Sequence, residues 1–405
     1  MFEGKHILII VENLPVPFDR RVWQEANTLR EAGAKISIIC PKMKGYNSSF
    51  ERINDIDIYR HSLPLEASGA LGYLLEYSVA LFWEFVLSLK IFFKKRFQVI
   101  QGCNPPDLIF VIALFYKLFG VTYVFDHHDI NPELYIAKYN RKGIYYRLML
   151  LVERLTFATA NYSIATNESY REIAMRRGKM PLEKVHVVRS GPKLERLTLG
   201  EGNISYKKGR QFLVGYVGVI GEQEGLDLLL ESAKYITEKR KDVQFAIIGD
   251  GTELAKIKAT TARMGLEDFV DFYGRVDDKK MVEILNTADV CVNPDKPTEM
   301  NNLSTMNKIM EYMALKKPIV QFNLKEGRLS AQEASLYAEN TSTEDFANKI
   351  MWLLDHEDAR TKMGNFAYDR IINNLSWKHE SDKLINLYNI IFGKKSSYKS
   401  IKVLK

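Results

Sequence analysis

The sequence predicts an α/β protein built from two doubly wound domains, each a parallel sheet covered by helices. The chain has 405 residues, more than one ordinary core needs, since domains contain about 150 residues on average. Short β-branched runs alternate with longer helical patterns, which is typical of parallel sheets. The alternation stops near residue 190 and starts again near residue 212. Two such sheets are therefore expected.

The composition is that of a globular protein, with 46% hydrophobic and 26% charged residues. Cys40, Cys103 and Cys291 are far apart in apolar surroundings and lack metal-ligand spacing. They predict buried thiols in a reducing compartment. The net charge of +7 comes without a basic stripe of interleaved aromatic residues, so nucleic acid is not the expected partner.

The first domain is expected to span residues 1–195. Its first apolar run, at residues 7–11, is too short for the core of a signal peptide and predicts a buried strand, so the chain is not expected to be secreted. The other predicted elements are a helix at 19–32 closed by Gly33, and strands at 36–40, 98–101, 122–126 and 162–165.

The second domain is expected to span residues 208–375, after a polar linker at 190–209. Ligands bind beyond the carboxyl ends of parallel strands, so two such domains facing each other would form a cleft. A final helix at 377–393 is expected to pack back on the first domain, followed by a basic tail at 394–405. The predicted elements of the second domain are strands at 213–218, 244–248, 289–292, 319–322 and 336–338, and a helix at 226–239.

The apolar segment at 71–93 is long enough to span a bilayer, but Glu76, Glu84 and Lys90 interrupt it. Two interpretations stay open: an amphipathic helix in the lipid headgroup layer, or a buried helix with a polar edge. The basic residues at its end, Lys94, Lys95 and Arg96, favour the interpretation as a membrane-bound helix. The expected membrane contacts are Trp83, Lys90, Lys94, Lys95 and Arg96, and the tail adds Lys394, Lys395, Lys399, Lys402 and Lys405.

The stretch from 301 to 320 carries the most chemical information. Ser304 or Thr305 could cap a helix there, and Lys308 would then lie one turn inside it, as in an anion site. Glu311 would lie where a carboxylate could accept both hydroxyls of a ribose. The spacing alone is equally compatible with an ordinary amphipathic helix.

Together with other motifs, this stretch resembles the signature of glycosyltransferase family 4, whose members are retaining sugar transferases of the GT-B fold. The resemblance covers nearly the whole chain and is strongest to bacterial enzymes of O-antigen, capsule and other surface polysaccharides. The motifs that carry it, in the family's order, are DRRVWQEA at 19–26, FDHHD at 125–129, VGYVG at 214–218, IGDG at 248–251, KIMEYMALKKPIV at 308–320 and SWK at 376–378.

The resemblance assigns roles by position. Glu311 matches the carboxylate that holds the nucleotide ribose, and His128 matches a histidine close to the reacting sugar and its leaving phosphate. Gly218 would let the donor diphosphate approach the backbone. The remaining residues expected to bind the nucleotide sugar are Arg275, Asp295, Ser304, Thr305, Asn307 and Lys308.

Three positions depart from the family pattern. Leu303 stands where the family often has a second glutamate, and Val219 and Glu224 stand where an arginine and a lysine commonly neutralise the diphosphate. Lys308 is the first candidate for a replacement cation and Arg275 the second.

Several polar residues keep two interpretations. Adjacent residues at a strand end point in opposite directions, so His127 and His128 are not expected to share a metal, and His127 is expected to be structural. Asp295 either contacts the donor sugar or caps a loop. Asp19, Arg20, Arg21 and Asp129 are candidate acceptor contacts, although the arginines could equally form a solvated first turn.

The predicted function is therefore transfer of a sugar from a nucleotide diphosphate sugar, expected to be a UDP-sugar, to a lipid-linked saccharide. The enzyme is expected to need no metal or other cofactor and to work at the inner face of a bacterial-type membrane. Two alternatives remain, a nucleotide-sugar epimerase of the same fold and a non-catalytic saccharide-binding subunit. A nicotinamide dehydrogenase is disfavoured, because no Gly-x-Gly-x-x-Gly follows the first strand.

Overall fold

The computed structural model describes residues 1–63 and 69–393, and the predicted basic tail at 394–405 lies outside them. The chain divides into two compact units. The first unit contains Met1–Arg189 and the final helix from Glu380 onward, and the second unit contains Ser190–His379. Each unit is built around its own β-sheet.

The sheet of the first unit has eight strands in the order β3-β4-β2-β1-β5-β6-β7-β8. All neighbours pair in parallel except β3 and β4, which form an antiparallel hairpin. The strands are β1 (His6–Val11), β2 (Lys35–Pro41), β3 (Phe50–Ile53), β4 (Ile56–His61), β5 (Val99–Cys103), β6 (Thr122–His127), β7 (Tyr162–Ala165) and β8 (Val185–Val187).

In residues 1–63 and 69–189, six α-helices connect these strands. The first of them begins where the Asp19 carboxylate accepts a hydrogen bond from the Val22 amide at 3.0 Å, which satisfies an amide left free at the helix start. The helices are α1 (Arg20–Glu31), α2 (Gly69–Lys94), α3 (Phe110–Lys117), α4 (Asn131–Tyr139), α5 (Ile144–Thr159) and α6 (Glu168–Arg176).

The sheet of the second unit has six strands, all parallel, in the order β11-β10-β9-β12-β13-β14. Alternate residues point to opposite faces, so Val214 and Phe245 belong to one apolar core and Leu213 and Ala246 to another. The strands are β9 (Phe212–Val217), β10 (Val243–Ile248), β11 (Val270–Gly274), β12 (Val290–Asn293), β13 (Ile319–Phe322) and β14 (Ser335–Ala338).

Helices cover both faces of this second sheet, which makes it doubly wound. They are α7 (Leu226–Lys239), α8 (Leu254–Arg263), α9 (Asp278–Thr287), α10 (Glu299–Leu303), α11 (Asn307–Ala314), α12 (Lys325–Ala331), α13 (Thr343–Asp355) and α14 (Glu357–Arg370), and after them comes α15 (Trp377–Ile391). The last of these carries the chain back into the first unit, where the Tyr388 hydroxyl donates to Gln101 at 2.7 Å.

The predicted fold class is confirmed, and most predicted strands lie within two residues of the observed ones. The pattern missed β3, β4, β8 and β11, which are short or carry polar residues such as Asp57 and Arg60. The expected linker at 190–209 is not a free connection. It belongs to the second unit, and Leu197 within it is buried in one of that unit's cores.

The segment suspected of membrane contact forms α2. In the described part of the chain, none of the helices combines the length and the apolar character that a bilayer crossing requires. Glu84 is fully buried, whereas Trp83, Lys90 and Lys94 are exposed. The helix therefore has one buried side and one open side.

Candidate active site

His128 lies directly after β6, at the carboxyl edge of the first sheet. Its Nε2 atom is 2.8 Å from Oδ2 of Asp126, and its side chain is 12% exposed. The Asn104 side chain fixes the loop, because its oxygen accepts from the amides of His128 and Asp129 at 2.6 and 3.1 Å. The imidazole is therefore oriented by a carboxylate, and a small part of it remains exposed.

Asp126 is the centre of a buried polar network. Arg21 donates to its Oδ1 at 3.0 Å, and Gln101 donates to its Oδ2 at 2.8 Å. Arg21 also pairs with Glu25 at 3.0 Å, and the Tyr388 hydroxyl closes the network on Gln101. We name these five residues and His128 the Asp126 network.

The two carboxyl groups of the Asp126 network, Asp126 and Glu25, differ in their tendency to carry a charge. Burial acts to raise the pKa of Asp126, but Arg21 and His128 outweigh it and hold that pKa well below its usual range. Burial, together with the Asp126 charge, raises the pKa of Glu25 well above its usual range even though Arg21 opposes the shift. Asp126 therefore carries the negative charge that faces His128.

The neighbouring His127 has a different environment. Its ring is fully buried among Phe125, Phe157 and Tyr170, with ring centroids 5.0 to 5.3 Å away. Burial, aided by the charge of Arg177, lowers the pKa of His127 to about 3. This histidine is a neutral core residue, as its position in the strand predicted.

The candidate acceptor residues are placed in three ways. Arg21 is buried in the Asp126 network and also donates to the Val188 carbonyl at 2.9 Å, so it does not lie in a solvated turn and is closed to an acceptor. Asp19 caps α1, and only 9% of the residue is exposed. Arg20 is exposed and Asp129 is half-buried, so these two remain candidates.

Donor atoms of Cys103, Asp126 and His128 lie within 4.8 Å of one another, close enough to surround a metal ion. Both oxygens of Asp126 are already hydrogen-bonded by Arg21 and Gln101. Burial raises the pKa of the Cys103 thiol well above its usual range, which disfavours the thiolate that a metal needs. The donor set therefore suits a metal ion poorly.

In the second unit, the loops after β9 and β10 touch each other through glycines. A Cβ atom on Gly249 would lie 1.8 Å from the Gly218 carbonyl oxygen, so only glycine is possible there. A Cβ atom on Gly218 would lie 2.9 Å from the Tyr216 hydroxyl and 3.2 Å from Cε of Lys308. The carboxyl edge of this sheet thus consists of closely packed backbone beside a lysine.

Lys308, in the first turn of α11, forms an ion pair of 2.7 Å with Asp295, which is 1% exposed. Its ammonium also lies 4.9 Å from the centre of the Tyr216 ring. Burial acts to lower the pKa of Lys308, but Asp295 and Tyr216 raise it overall, so this lysine stays charged. Burial raises the pKa of Glu224, and Lys308 opposes that shift.

The local charge around Lys308 is therefore not an excess of positive charge. Lys308 lies close to two carboxyl groups, those of Asp295 and Glu224. The family pattern would instead place a second lysine here, at position 224. Arg275, the second candidate cation, is exposed in the loop after β11. Asp295 was expected either to contact the donor sugar or to cap a loop. In the structure its carboxylate accepts a hydrogen bond from the Lys308 ammonium.

The predicted cap of the signature helix is wrong. Ser304 follows the end of α10, and its hydroxyl donates to the Met300 carbonyl at 2.8 Å. The next helix, α11, begins at Asn307 after Met306, without a side-chain cap. The break arises because Ser304 and Met306 adopt extended backbone angles. Thr305 lies half-buried in this break.

Glu311 lies in the second turn of α11 and forms a short ion pair with Nη2 of Arg196. The other end of the Arg196 guanidinium binds Asp278 at 3.0 Å. Arg196 was not predicted as a site residue, because it lies in the polar stretch interpreted as a linker. A pocket of about 420 Å³ opens beside Arg196 and Asp278, but its lining includes neither Glu311 nor Lys308.

Each of the two units matches a known protein family. Residues 19–191 match the family described as "Glycosyl transferase 4-like domain", and residues 211–356 match "Glycosyl transferases group 1". The chain belongs to the GT-B glycosyltransferases. The narrower assignment to family 4 stays a prediction.

Among curated relatives, the "Capsular polysaccharide biosynthesis glycosyltransferase CapM" of Staphylococcus aureus is 25% identical over 260 residues. That alignment covers 61% of this chain and 66% of the relative. The alignments to the other curated relatives span less than half of each relative's length.

Solved structures match over nearly the whole chain. The sucrose-phosphate synthase of Thermosynechococcus elongatus has a TM-score of 0.77 at 17% identity, covering 96% of this chain and 99% of that one. Anabaena HepE in complex with UDP-glucose has a TM-score of 0.70 at 14% identity, covering 95% and 99%. At these identities the similarity shows the fold.

Proposed function

We propose that the protein is a retaining glycosyltransferase that moves a sugar from a UDP-sugar to a lipid-linked saccharide in surface-polysaccharide biosynthesis. The observation that carries this proposal is the position of Glu311 on α11, one turn after Lys308. Ligands of parallel sheets bind at the carboxyl edge, where α11 begins. A relative named for capsular polysaccharide biosynthesis and a structural neighbour holding UDP-glucose support the same substrate class.

In this proposal the second unit holds the donor. Glu311 accepts hydrogen bonds from the ribose hydroxyls, and Lys308 and Arg275 are the cations available to the diphosphate. Asp295 keeps Lys308 in place and charged. Electrostatic stabilisation of the leaving diphosphate by such groups is the usual way to drive sugar transfer without a metal.

The first unit supplies His128 and binds the acceptor. Asp126 orients the imidazole through Nε2, so that Nδ1 of the protonated ring can donate a hydrogen bond to the reacting sugar or its leaving phosphate. No side chain here is proposed as a covalent nucleophile. The acceptor hydroxyl therefore attacks from the face that the diphosphate leaves and passes its proton to the departing diphosphate oxygen as the sugar–phosphate bond breaks, which retains the configuration at the anomeric carbon.

The direct test is a sugar-transfer assay in EDTA, with UDP-glucose or UDP-N-acetylglucosamine as donor. The acceptor is a short-chain polyprenyl diphosphate N-acetylglucosamine in detergent micelles. We expect acceptor-dependent formation of an α-linked product from an α-configured donor, determined by NMR. Conversion of the donor without an acceptor would instead indicate an epimerase. Failure of every UDP-sugar to bind would indicate a non-catalytic subunit.

His128→Ala is expected to lower kcat about 100-fold in the same assay, since a hydrogen-bond donor aimed at charge that develops in the transition state typically contributes at least that factor. UDP affinity should fall much less than kcat, because Glu311 and Lys308 belong to the second unit. His356→Ala, which removes an exposed histidine from the second unit, is the matched control. Equal turnover of His128→Ala and the control would remove His128 from the proposed chemistry.

A further inference from the structure

The first unit exposes a row of large aliphatic side chains along α5. Ile144, Leu148, Leu151 and Leu155 are between 42% and 78% exposed. Their spacing of four, three and four residues places them on one face of the helix. An amphipathic helix of a soluble protein normally turns such a face toward the core. Here the face points to solvent.

The adjacent helix repeats this arrangement. Val111, Leu114 and Leu118 on and just after α3 follow the same helical spacing and are 45% to 82% exposed. On α2, Phe82, Trp83 and Phe93 are also exposed. Three helices of the first unit thus each present apolar side chains to solvent.

The three helices are neighbours. The rings of Phe85 on α2 and Phe115 on α3 are 5.2 Å apart. Lys117 at the end of α3 donates to the Thr159 carbonyl at the end of α5, at 2.6 Å. The exposed side chains of α2, α3 and α5 therefore form one region, which we name the three-helix surface. Apolar patches of this kind mark interaction sites on folded proteins.

The exposed charges on and beside these helices have one sign. Arg147 and Arg154 lie within the exposed rows of α5, and Lys90 and Lys94 lie on α2. Of the acidic residues on the same helices, Glu84 and Glu153 are buried and Glu76 is half-buried. Further exposed basic residues flank the helix ends at Lys95, Arg96, Arg141 and Lys142. None of the exposed charged side chains described on the three helices is acidic.

This combination identifies the class of partner. A second copy of the chain would bring basic residues against basic residues, and a nucleic acid would gain little from rows of leucine and isoleucine. An anionic bilayer matches both features, because apolar side chains enter the headgroup boundary while lysine and arginine meet the lipid phosphates. We propose that the three-helix surface docks the protein onto an anionic membrane.

This docking surface is broader than the segment that the sequence indicated. The sequence pointed to α2, the basic residues that follow it and the basic tail, whereas α3 and α5 contribute seven of the exposed apolar residues. The docking does not depend on the sugar-transfer proposal, since it needs neither the donor nor the acceptor.

The test is flotation of the full chain with vesicles of phosphatidylcholine containing about one third phosphatidylglycerol. Leu148→Ser/Leu151→Ser is expected to reduce the partition coefficient between vesicles and water at least tenfold, because two leucines that enter the lipid would be lost from the contact. Both side chains are more than half exposed, so the fold should be unaffected, and an unchanged Tm checks this. UDP binding, measured in parallel, reports separately on the second unit.

A matched pair separates the surface from general hydrophobicity. Ile144 is 78% exposed on α5, and Ile204 is 79% exposed in the second unit. Ile144→Ser is expected to weaken flotation about threefold, and Ile204→Ser to leave it unchanged. Equal effects of the two substitutions would overturn the proposed surface.

The electrostatic part is tested with Arg147→Gln/Arg154→Gln. Each basic residue near an anionic surface contributes roughly fivefold in affinity, so a loss of about 25-fold is expected for the two substitutions on the anionic vesicles. Binding to pure phosphatidylcholine should not change, and Arg263→Gln in the second unit is the control. Unaltered flotation of both double variants would refute the proposal. A concentration-dependent dimer abolished by Leu148→Ser/Leu151→Ser would refute it in favour of self-association.

Discussion

The two units end their parallel sheets in different ways. At the edge of the first sheet, polar side chains satisfy one another in the buried Asp126 network, and one histidine emerges from it. At the edge of the second sheet, glycine-lined loops lie beside one buried ion pair, Lys308–Asp295. The first arrangement positions a single group. The second leaves backbone and a charged lysine close to the place where α11 begins.

The difference indicates how each unit could tolerate change. In the first unit, a substitution within the Asp126 network would leave buried charges without partners. In the second unit, charged groups near Glu311 can be exchanged at lower cost, because Glu311 and Arg196 are only half-buried. The comparison therefore predicts losses of stability in one unit and changes of ligand affinity in the other.

Asp126→Asn should have the largest effect. It removes the charge that compensates buried Arg21, and breaking a buried ion pair typically costs about 3 kcal/mol or more. We expect a loss of that size in the free energy of unfolding of the first unit. Urea denaturation followed by hydrogen exchange of peptides from each unit measures it.

The control is Asp242→Asn in the second unit, which breaks an ion pair with Arg240 at a partly exposed site. Such pairs contribute about 1 kcal/mol or less. Similar losses for Asp126→Asn and Asp242→Asn would show that the Asp126 network is not the special feature of the first unit.

Glu224→Lys should have a smaller effect in kcal/mol, and it should strengthen UDP binding where Asp126→Asn weakens the fold. The substitution restores the cation that the family commonly has and removes a carboxyl group beside Lys308. UDP affinity is expected to rise about fivefold, corresponding to about 1 kcal/mol for one additional partly exposed charge contact. The gain should shrink at high salt, because salt screens such charges. Isothermal calorimetry measures it.

Glu267→Lys makes the same change of charge just before β11, at the amino edge of the second sheet, and serves as the control. An equal gain with this control would mean that only the net charge of the protein matters. A loss of affinity in Glu224→Lys would place the diphosphate away from Lys308.

Much of the fold followed from the sequence, because buried parallel strands are continuous apolar runs. The missed strand β4 shows the limit of that signal. All six of its residues are buried although three are Asp57, Arg60 and His61, whose burial depends on partners distant in sequence. Arg60, for example, donates to the Val16 carbonyl at 2.8 Å.

The site was predicted less completely than the fold. The roles suggested for His128, Lys308 and Glu311 came from motif order, and the structure places each beside a charged partner. Those partners could not be predicted, since Asp126 meets Arg21 across 105 positions and Glu311 meets Arg196 across 115. The false cap at Ser304 arose because the spacing did not reveal the break between α10 and α11.

The exposed rows of α3 and α5 were missed for a related reason. An apolar stripe at helical spacing predicts a buried face equally well. Only the fold shows that the stripes of Leu114 and Leu148 point away from the sheet.

The central claim is that Glu311 holds the nucleotide of the donor, and calorimetric titration of UDP in EDTA tests it most directly. Wild type should bind UDP saturably, and Glu311→Gln should bind it about tenfold more weakly or worse, because hydrogen bonds to a charged group contribute roughly 1.5–3 kcal/mol. Glu267→Gln should match the wild type. Equal UDP affinities for Glu311→Gln and the wild type would contradict the account.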